Sequence, residues 1–108
     1  MLVSTTGEIA GKRIVQTLGV AMGNTVRARF IGRDIIAGIR NIIGGELKEY
    51  TKMMEDAREE ALRRMLANAE QLGANAVLNV RFVTAQIAQG AAELLAYGTA
   101  VVVEDAEE

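Results

Sequence analysis

Apolar residues recur along this chain with two different periods, and the longest regular stretch is helical. Leu47, Tyr50, Met54, Ala57, Ala61, Met65, Ala69 and Leu72 are spaced by three or four residues, so they share one stripe of a helix over residues 47–72. Lys48, Glu49, Lys52, Asp56, Glu59, Glu60, Arg63, Arg64 and Glu70 fall off that stripe. Glu59–Arg63 and Glu60–Arg64 stand one turn apart in the favourable order, each pair worth about 0.2–0.5 kcal/mol. Gly73 after Leu72 is a C-terminal cap signal. The stripe needs an apolar surface to lie on, and the rest of the chain supplies strand patterns.

Leu2-Val3 opens a short strand that Ser4-Thr5-Thr6-Gly7 ends in a turn. Over residues 14–22, Ile14, Leu18, Val20 and Met22 alternate with the smaller Val15, Thr17, Gly19 and Ala21. This predicts a strand whose small-residue face admits close approach of a helix or another backbone. Gly23-Asn24 reads as a turn, and Val26, Ala28 and Phe30 against Arg27 and Arg29 as a half-exposed edge strand. Asp34 then caps a short helix carrying Ile35, Ile36, Ile39, Ile42 and Ile43, which Gly44-Gly45 ends. After the long helix come a strand over 76–84, with Ala76, Leu78, Val80 and Phe82 on one face, a loop over 86–91, and a last strand over 93–103. That last strand is apolar on both faces, so it predicts cover on both sides. The order β-β-β-α-α-β-β predicts an α+β fold: a mostly antiparallel sheet with one short and one long helix on one face.

Length and composition add assembly to this picture. The chain has 108 residues, so residues 1–103 form one domain followed by an acidic tail, 104–108. Half of the residues are hydrophobic while the aromatics number only two Tyr and two Phe. A domain this small cannot hide so much aliphatic surface alone, and burial between subunits is the economical outcome. No run reaches the roughly 18–20 apolar residues that span a bilayer, and no secretory signal is expected, which points to the cytoplasm. Residues 1–43 carry six basic and two acidic side chains, and residues 73–108 one basic and five acidic. Such a split suits head-to-tail contacts between copies. A calculated pI near 5.2 opposes nucleic-acid binding.

Catalytic chemistry is poorly served. The chain has no His and no Cys, and Ser4 is its one serine, which excludes Ser-His-Asp and cysteine nucleophile arrangements. The expectation is a protein that is not an enzyme and has no cofactor. One constellation is a candidate ligand site: Arg33, Asp34, Arg40 and Glu46 around the short helix, with the hydroxyls of Thr5 and Thr6. These groups could hold a small anion or metabolite at a subunit junction.

Thr5-Thr6, Leu18-Gly19-Val20, Gly32-Arg33-Asp34-Ile35, Ala37-Gly38-Ile39-Arg40-Asn41-Ile42, Gly44-Gly45-Glu46-Leu47, Leu72-Gly73-Ala74-Asn75-Ala76-Val77 and Tyr97-Gly98-Thr99-Ala100-Val101 resemble the YbjQ-like family, in order and spacing and over nearly the whole chain. The resemblance implies a dodecin-like α+β subunit in a ring-like homopentamer, so the partner is the chain itself. It implies no known activity. The family also carries a heavy-metal-binding label, which makes metal binding the alternative function. Heavy metals need thiolate, imidazole or thioether donors. Only the five Met could serve here, and Met53, Met54 and Met65 belong to the helix stripe or its border, so no metal ligand is assigned.

Overall fold

The computed structural model of the chain describes residues 1–28, 48–88 and 91–107. The short helix expected near 35–43, and with it Arg33, Asp34, Arg40 and Glu46, lie outside the described residues.

The elements run β1 (Leu2–Val3), β2 (Lys12–Ala28), α1 (Lys48–Gln71), β3 (Ala76–Ala88) and β4 (Ala91–Asp105). They form one sheet in the order β1-β3-β4-β2. β1 pairs parallel to β3, while β3–β4 and β4–β2 are antiparallel. The fold is α+β, as expected, with a mixed sheet.

The expected stripe is the heart of the core. Ala57, Ala61, Met65 and Ala69 are fully buried against Ala21 of β2 and Leu94, Ala96 and Ala100 of β4. Leu72 departs from the expectation and is exposed, because Gly73 adopts a positive φ of 91° and turns the chain out of the helix. Alanine at the contact lets α1 sit very low on the sheet. Gly23 takes this to its limit: a Cβ built there would lie 2.6 Å from the Arg64 carbonyl carbon and overlap Met65 N and Ala61 O more severely. The expected turn at Gly23-Asn24 is therefore absent. Gly23 serves close approach to the helix, and β2 runs straight through it.

Strict alternation also fails at four register shifts, two in β2 and two in β3, the last between Gln86 and Ala88. Register shifts at Val15 and Leu18 rotate the first half of β2, so Leu18 packs on the helix side while Val20 and Met22 stay exposed. Thr25, not Val26, is the buried neighbour further along. In β3 the ladder slips between Leu78 and Arg81, where Asn79 takes a positive φ of 53°. Past this slip Val80 faces α1, whereas Ala76 and Leu78 pack with Val101, Val103 and Ile9 on the other face.

The hairpin is longer and tighter than expected. β3 continues to Ala88 and β4 begins at Ala91. β4 also runs two residues beyond 103, where Glu104 pairs with Arg13 and Asp105 with Lys12, and Ala106 N–H donates to Gly11 O at 2.9 Å. Asn75 fastens this end of the sheet: Val103 N–H donates to Asn75 Oδ1 and Asn75 Nδ2 donates to Val103 O, both at 2.8 Å.

The result is a ribbon. Its extents are 59 × 26 × 15 Å, and the 17 residues of β2 account for about 56 Å of the long axis at about 3.3 Å per residue. The 24 residues of α1 reach about 36 Å at about 1.5 Å each. α1 by itself is too short to cover that ribbon even on its own side.

Candidate functional site

The N-terminal turn is where the described polar groups gather. Thr6 N–H donates to Ser4 Oγ at 3.0 Å, and Thr6 Oγ1–H donates to the Glu8 carbonyl at 2.6 Å. With Thr6 Oγ1 already donating, the Ser4 hydroxyl donates to it, closing a hydroxyl relay. The relay stiffens the turn in the way expected of Ser and Thr between strands.

Two residues of β3 meet this turn. Asn79, which tolerates the left-handed conformation better than most residues, donates its N–H to Thr6 O at 3.0 Å. Arg81 Nη1 donates to Thr5 O and to Val80 O, both at 2.9 Å. Arg81 keeps its Nε and Nη2 donors uncommitted among the described residues. An open concavity of about 890 Å³, walled by residues 6–12, lies along the turn. Its one ammonium, Lys12, is engaged by Asp105. That bond, together with the Lys12 charge, holds the Asp105 carboxyl below its ordinary range.

Of the expected site residues, Thr5 and Thr6 lie in this cluster. Arg33, Asp34, Arg40 and Glu46 fall outside the described residues. Sequence spacing gave no hint of Arg81, which stands 76 positions from Thr5; the one available signal was that it is the sole basic residue after residue 72. The Ser4 and Thr6 hydroxyl protons are spent within the turn, so the groups here that suit a small oxyanion are the uncommitted guanidinium donors of Arg81.

Metal chemistry is not served by the same groups. No group of three or more His, Cys, Asp or Glu that could hold a metal ion occurs among the described residues. Asp56 and Glu60 of α1 are occupied by Lys52, Arg63 and Arg64. The methionines do not converge either, since Met65 is fully buried under α1 while Met22 is exposed. The donor set does not fit a heavy-metal site.

The sequence model of the YbjQ family, described as "Putative heavy-metal-binding", matches residues 1–104. The chain belongs to the YbjQ family. Curated relatives carry the name UPF0145 protein. That of Methanosarcina acetivorans is 56% identical over 94% of this chain and 95% of its own. The one from Hahella chejuensis is 59% identical over 96% of this chain and all of its own, and the one from Thermococcus kodakarensis 59% identical over 99% and 95%. Among solved structures, a protein of unknown function of the DUF74 family from Pediococcus pentosaceus superposes with a TM-score of 0.64. It covers 96% of this YbjQ chain and 98% of its own at 17% identity, so the likeness is one of fold.

The larger feature of this YbjQ subunit is a sheet face that the described residues leave partly exposed. Val20, Met22 and Val26 of β2 and Val83 of β3 are 46–59% exposed. The register sets Met22 opposite Tyr97, and Leu95 opposite both Asn24 and Val83. Val20, Met22, Tyr97, Leu95 and Val83 therefore adjoin on the face away from α1, where Arg81 stands opposite Tyr97 and Asn24, hydrogen-bonded to Glu93, separates them from Val26. Among the described residues no helix is long and apolar enough to cross a membrane.

Proposed function

We propose that this YbjQ protein is a non-enzymatic, cytoplasmic homo-oligomer, a dodecin-like ring of five, that acts as a scaffold or as a binder of a small anion at its subunit junctions. The observation that carries the assembly is the cluster of exposed aliphatic side chains on the sheet face away from α1, because exposed apolar clusters mark interaction surfaces. Its magnitude supports the reading. The chain exposes 7404 Å², against about 5,800 Å² for a compact monomer of its mass, an excess of about 1,600 Å². A standard interface buries about 800 Å² per partner, so the excess corresponds to two neighbours per subunit, as in a ring. The radius of gyration, 17.7 Å, also exceeds the roughly 13 Å of a compact chain of this length.

Binding of a small anion rests on the uncommitted donors of Arg81 beside the turn at Thr5 and Thr6, and on repetition of that weak site once per subunit. Sedimentation velocity at micromolar concentration tests the assembly, and a monomer refutes it. Calorimetry with inorganic phosphate on the parent and on Arg81→Gln tests the site; equal heats in both refute that role. Metal binding has in its favour only the family's description, and a blank titration with copper, zinc, nickel and manganese removes it.

A further inference from the structure

We propose that the row Met22, Tyr97 and Arg81, on the sheet face away from α1, binds a nucleoside phosphate: the base lies on Tyr97 and Met22, and the phosphate on Arg81. The proposal rests on the reading of Arg81 as an anion site and names the class of its ligand.

Strand register builds the row. Met22 of β2 stands opposite Tyr97 of β4, and Tyr97 stands opposite Arg81 of β3. The three side chains therefore lie side by side on one face, with about 4.8 Å from strand to strand. Each belongs to a kind that recognises a planar ring or its charge. A thioether makes favourable contacts with aromatic rings. A phenol ring stacks on another ring or meets it edge to face. A guanidinium stacks on aromatic faces and presents a planar fork to phosphate. Met22 is 53% exposed and Tyr97 half-buried, so both present surface to a ligand. Val20 and Thr99 border the row on one side, and Leu95 and Val83 on the other.

The place of the guanidinium selects the length of the ligand. Arg81 Nη1 donates to Thr5 O at 2.9 Å. Thr5 lies across β3 from β4, in the segment that takes the outer side of β3 through Val80 N–H to Ser4 O and Asn79 N–H to Thr6 O. The uncommitted Nε and Nη2 donors thus stand between one and two strand spacings from β4, about 5–10 Å. A ring that bears its carboxylate directly holds charge and ring too close together to serve both Tyr97 and Arg81. A base and a phosphate joined through a sugar span the gap, and the fork of Arg81 matches phosphate oxygens.

Charge sets the direction. Arg81 is the only basic residue after residue 72. Glu93, on the same face opposite Val26, is hydrogen-bonded to Asn24 of β2. A carboxylate on the β2 side and a guanidinium on the β3 side turn the phosphate toward β3.

Calorimetry with adenosine monophosphate, adenosine and inorganic phosphate, on the parent, Arg81→Gln and Tyr97→Leu, tests the site. NMR of the methionine methyl groups reports where the base lies, and circular dichroism reports folding. The parent should bind the nucleotide about tenfold more tightly than inorganic phosphate, the worth of one aromatic contact. Tyr97→Leu should lose that margin, Arg81→Gln should lose both ligands, and the nucleotide should move the Met22 methyl resonance upfield. Equal affinity of the parent for nucleotide and phosphate, with both lost in Arg81→Gln, overturns the base site and leaves the anion reading standing. A margin that survives Tyr97→Leu with the Met22 methyl unmoved does the same. Adenosine bound as tightly as the nucleotide, or no heat from nucleotide and phosphate alike, overturns both. Should Tyr97→Leu fail to fold, the Met22 methyl of the parent decides, since it needs no variant.

Discussion

Gly23→Ala adds one methyl group at the point where α1 and β2 touch backbone to backbone. Its Cβ would stand 2.6 Å from the Arg64 carbonyl carbon and overlap Met65 N and Ala61 O. All three belong to the helix main chain, so no side chain can swing aside. Relief requires α1 to rise, and rising stretches the bonds from Asn68 to Met22 N–H and from Arg64 to Asn24 O. Overpacking costs about 1–3 kcal/mol and each of the two lost bonds about 0.5–1.5 kcal/mol, giving about 2–6 kcal/mol in all. Against a typical stability of about 5–15 kcal/mol that is a large fraction. At about 4 °C per kcal/mol it lowers the midpoint by about 8–24 °C. The assay is thermal and urea unfolding of the parent, Gly23→Ala and a control, Gly7→Ala. The control's Cβ meets nothing nearer than Asn79 Nδ2 at 3.6 Å, so its effect stays within about 0.5 kcal/mol. A Gly23→Ala protein no less stable than Gly7→Ala would refute the helix-on-glycine contact.

Ala61→Asp puts an unpaired carboxylate at a fully buried position and costs several kcal/mol; circular dichroism should show loss of the fold, and a parental melting curve would contradict it. Asn75→Ala strips Val103 of both its N–H and C=O partners, at about 1–3 kcal/mol, and amide exchange at Val103 should quicken while that at Ala61 changes less. Asp105 titrates below its ordinary value because Lys12 hydrogen-bonds and attracts its carboxylate. Its stabilising contribution is thus present above pH 3.8 and lost as the pH falls through the lowered value. Carboxyl NMR should place Asp105 back at its ordinary value in Lys12→Met.

The helix was legible because Ala57, Ala61, Met65 and Ala69 repeat at the helical period and nothing in the sheet overrides it. The strands were legible in existence but not in facing. Alternation assumes an unbroken pleat, and the bulges at Val15, Leu18 and Asn79 break it, so Leu18 and Val80 turn to the helix while Val20 and Val26 turn away. Gly23-Asn24 carries the composition of a turn, but the residue that a turn would need is the one that a touching helix needs. The site divided along the same line. Thr5 and Thr6 sit in a local turn whose chemistry adjacent residues determine. Arg81 reaches them only through the parallel pairing of β1 with β3, a long-range contact that no local pattern encodes.

Assembly is the claim on which the functional reading depends, and the mass of the purified protein in solution tests it most directly. Sedimentation equilibrium across the micromolar range should return a multiple of 11.6 kDa, five for the ring. A constant single-chain mass over that range would mean that the cluster of Val20, Met22 and Val83 stands bare in water, contrary to this account.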